Sequence, residues 1–281
     1  MKSMIRPKKG FTLIELLVVI AVIALLMAVI MPALRKAKDH AKKIHCSANL
    51  RSLAMAALMY ADDHDGRTPS STNVWDDGGT DRPGWCGRTM ISVTPPVLLP
   101  IDEQIYGTSD PVTGLVRGQL WPYIETSDAW RCPSDPIKEN MRSYCMSTQW
   151  WGIHTDPDDS VWFAPGTAGL VCRLISRIKN PGGRFMFVDQ LGLNDDAYWA
   201  IPYTTNEWWN IPSFMHSGGS VNGFADGHVD AYKLGSETIR LAQESLEEAM
   251  AGKSNYKMKS GDFNEEDLMF YQRASWGKIG Y

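Results

Sequence analysis

The sequence contains no G-x-S-x-G, no H-E-x-x-H and no phosphate-binding glycine loop. Their absence removes common signatures of acyl transfer, zinc proteolysis and nucleotide hydrolysis. No C-x-x-C occurs, which speaks against a zinc knuckle or a thioredoxin-type redox pair. Asp189, Asp195, Asp196 and Glu207 are acids of a tryptophan-rich region, but no spacing ties two of them into a glycosidase pair. The chain therefore reads as a non-enzyme, with no cofactor and no metal assigned. A large charge excess is lacking too: 28 Lys/Arg face 32 Asp/Glu over 281 residues. The distribution is uneven. Residues 1–66 hold ten Lys/Arg and five Asp/Glu, a net of +5, which leaves eighteen and twenty-seven, a net of −9, for the remainder. An acidic bulk argues against nucleic acid as a partner.

Long hydrophobic runs are absent everywhere except near the start. Lys8–Leu34 reads KKGFTLIELLVVIAVIALLMAVIMPAL, and from Phe11 to Pro32 only Thr12 and Glu15 are polar. About 20 apolar residues suffice to cross a bilayer as a helix. A carboxylate inside such a run costs roughly 2.5–3.5 kcal/mol at mid-membrane, so Glu15 needs a partner. An ordinary secretory signal has its cleavage site after the apolar core. Here MPALRKAK follows, with no A-x-A-type site. The basic leader predicts a cytoplasmic N-terminus with the rest sent outward.

This segment resembles the class III signal of type IV pilins and type II secretion pseudopilins. The resemblance implies that a prepilin peptidase cuts between Gly10 and Phe11 and methylates the new amine of Phe11. It implies that Glu15 pairs with the N-terminal amine of a neighbouring subunit, and that Pro32 kinks the helix. An interior proline removes one backbone hydrogen bond and crowds the preceding turn. The implied partners are the peptidase, other pilin-like subunits and the inner membrane.

From Leu34 to Ala61 there is no Gly and no Pro. Leu34, Ala37, Ala41, Ile44, Ala48, Leu50, Leu53, Ala54, Ala57, Leu58 and Ala61 recur mostly three or four apart, which predicts one apolar helical face. The helix is expected to continue to about Asp65, with Gly66 as its C′ residue. DDHDG at Asp62–Gly66 fails as an EF-hand loop, because Ala61 and Thr72 stand at ligand positions. The expected organisation is a leader over 1–10, a transmembrane helix over 11–34, an amphipathic continuation over 35–66 and an exported head over 67–281.

Five cysteines (Cys46, Cys86, Cys132, Cys145 and Cys172) fall on the exported side. That compartment permits disulfides, and one or two are expected, with partners unassigned. His216–Tyr232 reads HSGGSVNGFADGHVDAY, with nine residues between His216 and Asp226-Gly227. It resembles the H-X9-DG motif of a large pilin-like family that also carries the patterns seen here at Cys46-Ser-Ala-Asn-Leu-Arg, Tyr60–Gly66 and Cys132-Pro-Ser-Asp-Pro. Asp226-Gly227 predicts a hairpin with a two-residue turn, both central residues at positive φ. His216 at the mouth of the first strand reads as a ring bonded to nearby backbone. A metal set of His216, Asp226, His228 and Asp230 is the lesser reading.

Phe185–Val188 reads as a buried strand, and helices are expected from Ser236 toward Gly252 and over Glu265–Ala274. The fold class is α+β and pilin-like: a long N-terminal helix on an antiparallel sheet with peripheral helices. The expected function is a subunit of a type IV pilus-like or type II secretion filament. The alternative uses the tryptophans. Trp150, Trp151, Trp162, Trp199, Trp208 and Trp209 could form a surface that stacks on polysaccharide, on a tethered protein that never polymerises; core or interface burial is the competing role for them.

Overall fold

The structure is a computed structural model that describes residues 12–71, 84–86, 115–116, 118–137, 142–147, 172–190, 198–202, 205–250 and 263–277. The chain divides into two units, Met1–Ala41 and Lys42–Tyr281. Helix α1 spans Leu13–Asp63 and runs unbroken through Pro32.

In the first unit every described residue is exposed. The side chains from Leu13 to Leu34 include Leu25, Val29 and Leu34 at 67%, 70% and 63% exposure, on all sides of the helix. In the second unit the helix becomes one-sided. Cys46, Asn49, Leu50, Leu53, Ala54, Ala57 and Ala61 are buried at spacings of three and four. The buried face thus begins at Cys46, later than the sequence pattern suggested. Leu34, Ala37, Ala41, Ile44 and Ala48 remain exposed, because no other described element covers them. The helix closes with the Gly66 amide donating to the Ala61 carbonyl at 2.7 Å. This is the six-to-one bond of a Schellman ending. Asp65, at φ 56°, therefore takes the C′ place and Gly66 follows it.

Five strands form one sheet: β1 (Tyr144–Ser147), β2 (Phe185–Asp189), β3 (Tyr198–Trp199), β4 (Gly219–Phe224) and β5 (Val229–Lys233). Their order is β3-β1-β2-β4-β5. The pairs β1/β2, β2/β4 and β4/β5 are antiparallel, as expected, while the two-residue β3 lies parallel to β1. The sheet is covered on both faces, which is why β1, β2 and β4 are buried at every position. On one face Met146, Met186, Phe187 and Val221 pack with Leu50, Leu53 and Ala57 of α1, with Trp85 and Trp130, and with Trp121 of the short helix α2 (Trp121–Ile124). On the other, Phe185, Val188 and Phe224 pack with Leu241 of α3 (Ser236–Met250) and with Leu268 and Tyr271 of α4 (Glu265–Trp276). A register shift between Phe185 and Phe187 lets the adjacent Met186 and Phe187 join the same cluster.

The hairpin between β4 and β5 differs from expectation. Among its turn residues only Gly227 has positive φ, at 87°. The Gly227 amide donates to Phe224 O at 3.0 Å and the Phe224 amide to His228 O at 2.9 Å. This is a three-residue loop, Ala225–Gly227, of the kind that ends in one left-handed residue. A Cβ on Gly227 would meet Met55 Sδ at 3.2 Å and Leu58 Cδ1 at 3.4 Å, so the turn lies against α1.

Asn49 fixes the helix to the segment before Cys132. Its Nδ2 donates to Asp128 O at 3.2 Å and Arg131 O at 2.9 Å. Asn49→Leu would strand both carbonyls, and the expected cost is about 1–3 kcal/mol, read as a lowered unfolding midpoint of the detergent-solubilised chain. An unchanged midpoint would show that the bonds add nothing.

Candidate functional site

Two places gather chemistry-bearing residues. At the start of α1, Thr12 and Glu15 bond reciprocally. The Thr12 amide and hydroxyl both donate to Glu15 Oε2 at 2.8 Å, and the Glu15 amide donates to Thr12 Oγ1 at 3.3 Å. This is a capping box, which satisfies amides that a helix start leaves unpaired. Its signature, T-x-x-E ahead of an apolar run, stands in the sequence, although the expected partner of Glu15 lay in another subunit. Glu15 thus has an internal partner. Beyond it lies an apolar helix with no cover, the single described helix long and apolar enough to cross a membrane. Gly10 and Phe11 lie outside the described residues.

The second place lies within the second unit. Cys46 comes from α1. Cys132 follows the short 3-10 turn Ser127–Trp130, Asp189 ends β2, and His216 precedes β4. All four are buried, and one donor atom from each lies within 4.8 Å of the others. His216 Nε2 stands 3.3 Å from both Cys132 Sγ and Asp189 Oδ2, and Cys46 Sγ is 3.9 Å from that same oxygen. The surroundings hold each donor in place. Tyr144 Oη donates to Cys46 Sγ at 3.3 Å, and the Ser134 amide to Cys132 Sγ at 3.4 Å. In the C-P-S-D-P turn, the Ser143 hydroxyl donates to Asp135 Oδ2 at 2.6 Å and accepts from the Cys132 amide at 3.0 Å. His216 Nδ1 finds no hydrogen-bond partner among the described residues.

Burial sets the protonation of this cluster. It pushes the Asp189 carboxyl up, against hydrogen bonds from His216 and Ser213 that pull it down. It would push His216 down, but the bonds to Asp189 and Cys132 outweigh it and bring the imidazole to about 9. Burial holds the Cys46 thiol well above its ordinary range. The Cys132 thiol goes down, led by its hydrogen bond with Cys46 and helped by His216. Without a further ligand, a protonated His216 therefore lies between Asp189 and Cys132 near neutral pH.

Residues 5–31 match the family described as the prokaryotic N-terminal methylation motif. The chain is 35% identical over 71 residues to the ComG operon protein 3 homolog of Bacillus licheniformis, covering 25% of this chain and 73% of that protein. The chain belongs to the type IV pilin-like family. This pilin-like protein is also 28% identical over 86 residues to competence protein ComGC of Bacillus subtilis, covering 30% of this chain and 88% of that one. It is 44% identical over 63 residues to the type IV wide pilus major component PilA4 of Thermus thermophilus, covering 22% of this chain and 48% of that one. No solved structure matches it.

The pilin-like protein does not bring the motif residues together as a metal set of His216, Asp226, His228 and Asp230. His216 is buried, whereas Asp226 and His228 pair with each other at 40% and 44% side-chain exposure, at the far end of β4, and Asp230 is exposed on β5. Nor does the His216 ring bond to nearby backbone as expected: its Nε2 meets the side chains of Asp189 and Cys132. The expected disulfides are not formed either, and all five cysteines are free. Cys145 sits in the core as a small apolar residue that accepts from Arg142 Nη1 at 3.3 Å. Burial pushes the Cys86 thiol up to about 12. Trp199 and Trp208 are fully buried and pack on Tyr271, so they offer no stacking surface. Trp150, Trp151, Trp162, Asp195 and Asp196 lie outside the described residues.

Proposed function

We propose that this chain is a structural subunit of a type IV pilus-like filament. The observation that carries the reading is the Leu13–Leu34 stretch of α1, whose uncovered apolar surface holds a single carboxylate at Glu15. In water such a surface is unsustainable; a bilayer and then neighbouring helices cover it. The chain is cut between Gly10 and Phe11 and N-methylated at Phe11 by a prepilin peptidase. It is held in the inner membrane with its head exported, then assembled with copies or related subunits. Glu15 exchanges its contact with Thr12 for the methylated amine of a neighbour. The name of the Thermus thermophilus relative, a wide pilus major component, supports a filament component rather than a catalyst. The burial of Trp199 and Trp208 weakens the polysaccharide-binding alternative.

The test is intact-mass analysis of the chain from native membranes. The expected product begins at methylated Phe11. A chain that still begins at Met1, in cells with an active peptidase, would overturn the processing and favour a static anchor.

A further inference from the structure

We propose that Cys46, Cys132, Asp189 and His216 bind a structural divalent zinc-class ion, which ties helix α1 to the sheet of the head. The inference stands on the second unit alone and does not depend on the filament role.

The donor set fits the ion. Thiolates and imidazole favour zinc among biological divalent ions, and a carboxylate completes a tetrahedral set. With bonds of about 2.3 Å to sulfur and about 2.0–2.1 Å to nitrogen and oxygen, tetrahedral donors stand roughly 3.3–3.8 Å apart. The separations found are 3.3, 3.3 and 3.9 Å, with none above 4.8 Å. Small rotations of side chains already in place would complete the geometry. Cys46, Cys132, Asp189 and His216 are 0%, 2%, 1% and 5% exposed. A closed site of this kind leaves no open position for substrate, so the role is structural rather than catalytic.

The outer contacts of the two sulfurs agree. Metal sulfurs and carboxylates are held by hydrogen bonds from a second layer of residues. Here Tyr144 donates to Cys46 Sγ and the Ser134 amide to Cys132 Sγ. Charge agrees as well. A carboxylate and two sulfurs gathered in a dry interior are costly to bury unless a cation joins them. A dication replaces the protons on the thiols and imidazole, which leave to solvent.

The ligands lie far apart in sequence, with separations of 143 positions from Cys46 to Asp189 and 84 from Cys132 to His216. An ion joining them closes long loops and stabilises the head much as a disulfide would. Three of the four donors lie in the segments singled out by sequence: Cys46-Ser-Ala-Asn-Leu-Arg, Cys132-Pro-Ser-Asp-Pro and H-X9-DG. In this arrangement the H of H-X9-DG is a ligand, and the DG turn seats the other end of β4 against α1.

The experiment uses the full chain, solubilised in detergent and purified under reducing, anaerobic conditions. Elemental analysis after exposure to Zn2+ and gel filtration is expected to give about one ion per chain. Replacement by Co2+ should give thiolate-to-cobalt charge-transfer bands and the visible bands of a tetrahedral site. Cys132→Ala and His216→Ala should each lose the ion and the bands, while Cys172→Ala keeps both. Tyr144→Phe should keep the stoichiometry and weaken affinity by about tenfold. Stripping the ion with a chelator should lower the unfolding midpoint by about 10 °C. Absence of bound Zn2+ and of cobalt bands in the wild-type chain overturns the proposal. So does a Cys46–Cys132 disulfide in the native chain by peptide mapping, or an ion retained by Cys132→Ala. The wild-type readings decide the matter even if a variant fails to fold.

Discussion

Glu15→Gln is expected to insert into the membrane at normal levels and to fail in assembly. The argument separates two roles that Glu15 holds at once. As the acid of a capping box it accepts from the Thr12 amide and hydroxyl, and Gln performs that task nearly as well. As a charge it would meet the amine of a neighbouring subunit, which Gln cannot. Truncating one partner of a buried charge pair costs about 2–5 kcal/mol per contact. In a filament that loss recurs at every subunit. Membrane insertion itself should ease, because a carboxylate in the apolar run costs roughly 2.5–3.5 kcal/mol. Glu15→Ala should fail to assemble and also loosen the helix start by about 1 kcal/mol. The readout is cross-linked oligomer against total membrane-inserted chain. Wild-type oligomer from Glu15→Gln, with loss only in Glu15→Ala, would leave the helix cap as the whole role of this residue.

Phe187→Ala is expected to produce the largest loss of stability in the head. Phe187 is fully buried on β2 at the centre of the sheet. Its ring meets Trp85 at 5.0 Å between centroids, and it faces the Leu50–Ala57 side of α1. Removing such a ring costs about 3–5 kcal/mol, out of a total of about 5–15 kcal/mol for a native domain. The midpoint should fall by about 10 °C or more. Met59→Ala, on the 49%-exposed side of the same helix, should change stability by less than about 0.5 kcal/mol. Thermal unfolding in detergent, followed by tryptophan fluorescence, measures both. Equal shifts for the two variants would falsify this account of the core.

The elements visible in the sequence were those with a local signal. Helix α1, the Phe185 strand, the hairpin near Gly227 and helix α4 each announce themselves by periodicity, a turn residue or a cap. The Asn264 side chain accepts from the Asp267 amide at 3.1 Å and Gly277 closes α4 at φ 79°. What the sequence hid was long-range. A buried stripe and an exposed stripe share one spacing, so nothing local marks Cys46, rather than Leu34, as the first covered residue. The cluster around His216 was half visible. Cys46, Cys132 and His216 each stand in a recognised segment, but Asp189 is one acid among several in the sequence. Only the pairing of β1 with β2 and of β2 with β4 brings its carboxylate to the other three. The two-residue turn expected at Asp226-Gly227 failed by one residue, because the D-G pair also serves a longer loop that needs one left-handed position.

Strand β4 and helix α1 keep company over a long stretch. His216 reaches Asp189 beside Cys46, a Cβ on Gly223 would lie 3.5 Å from Leu50 O, and the turn at Gly227 rests on Met55 and Leu58. These contacts follow the two segments in the same direction. Tension drawn along the helix axis is therefore met as shear, shared by every step from residue 46 to residue 58. The head cannot be peeled off its helix one contact at a time, and a fibre built from such subunits would carry a pull through this seam.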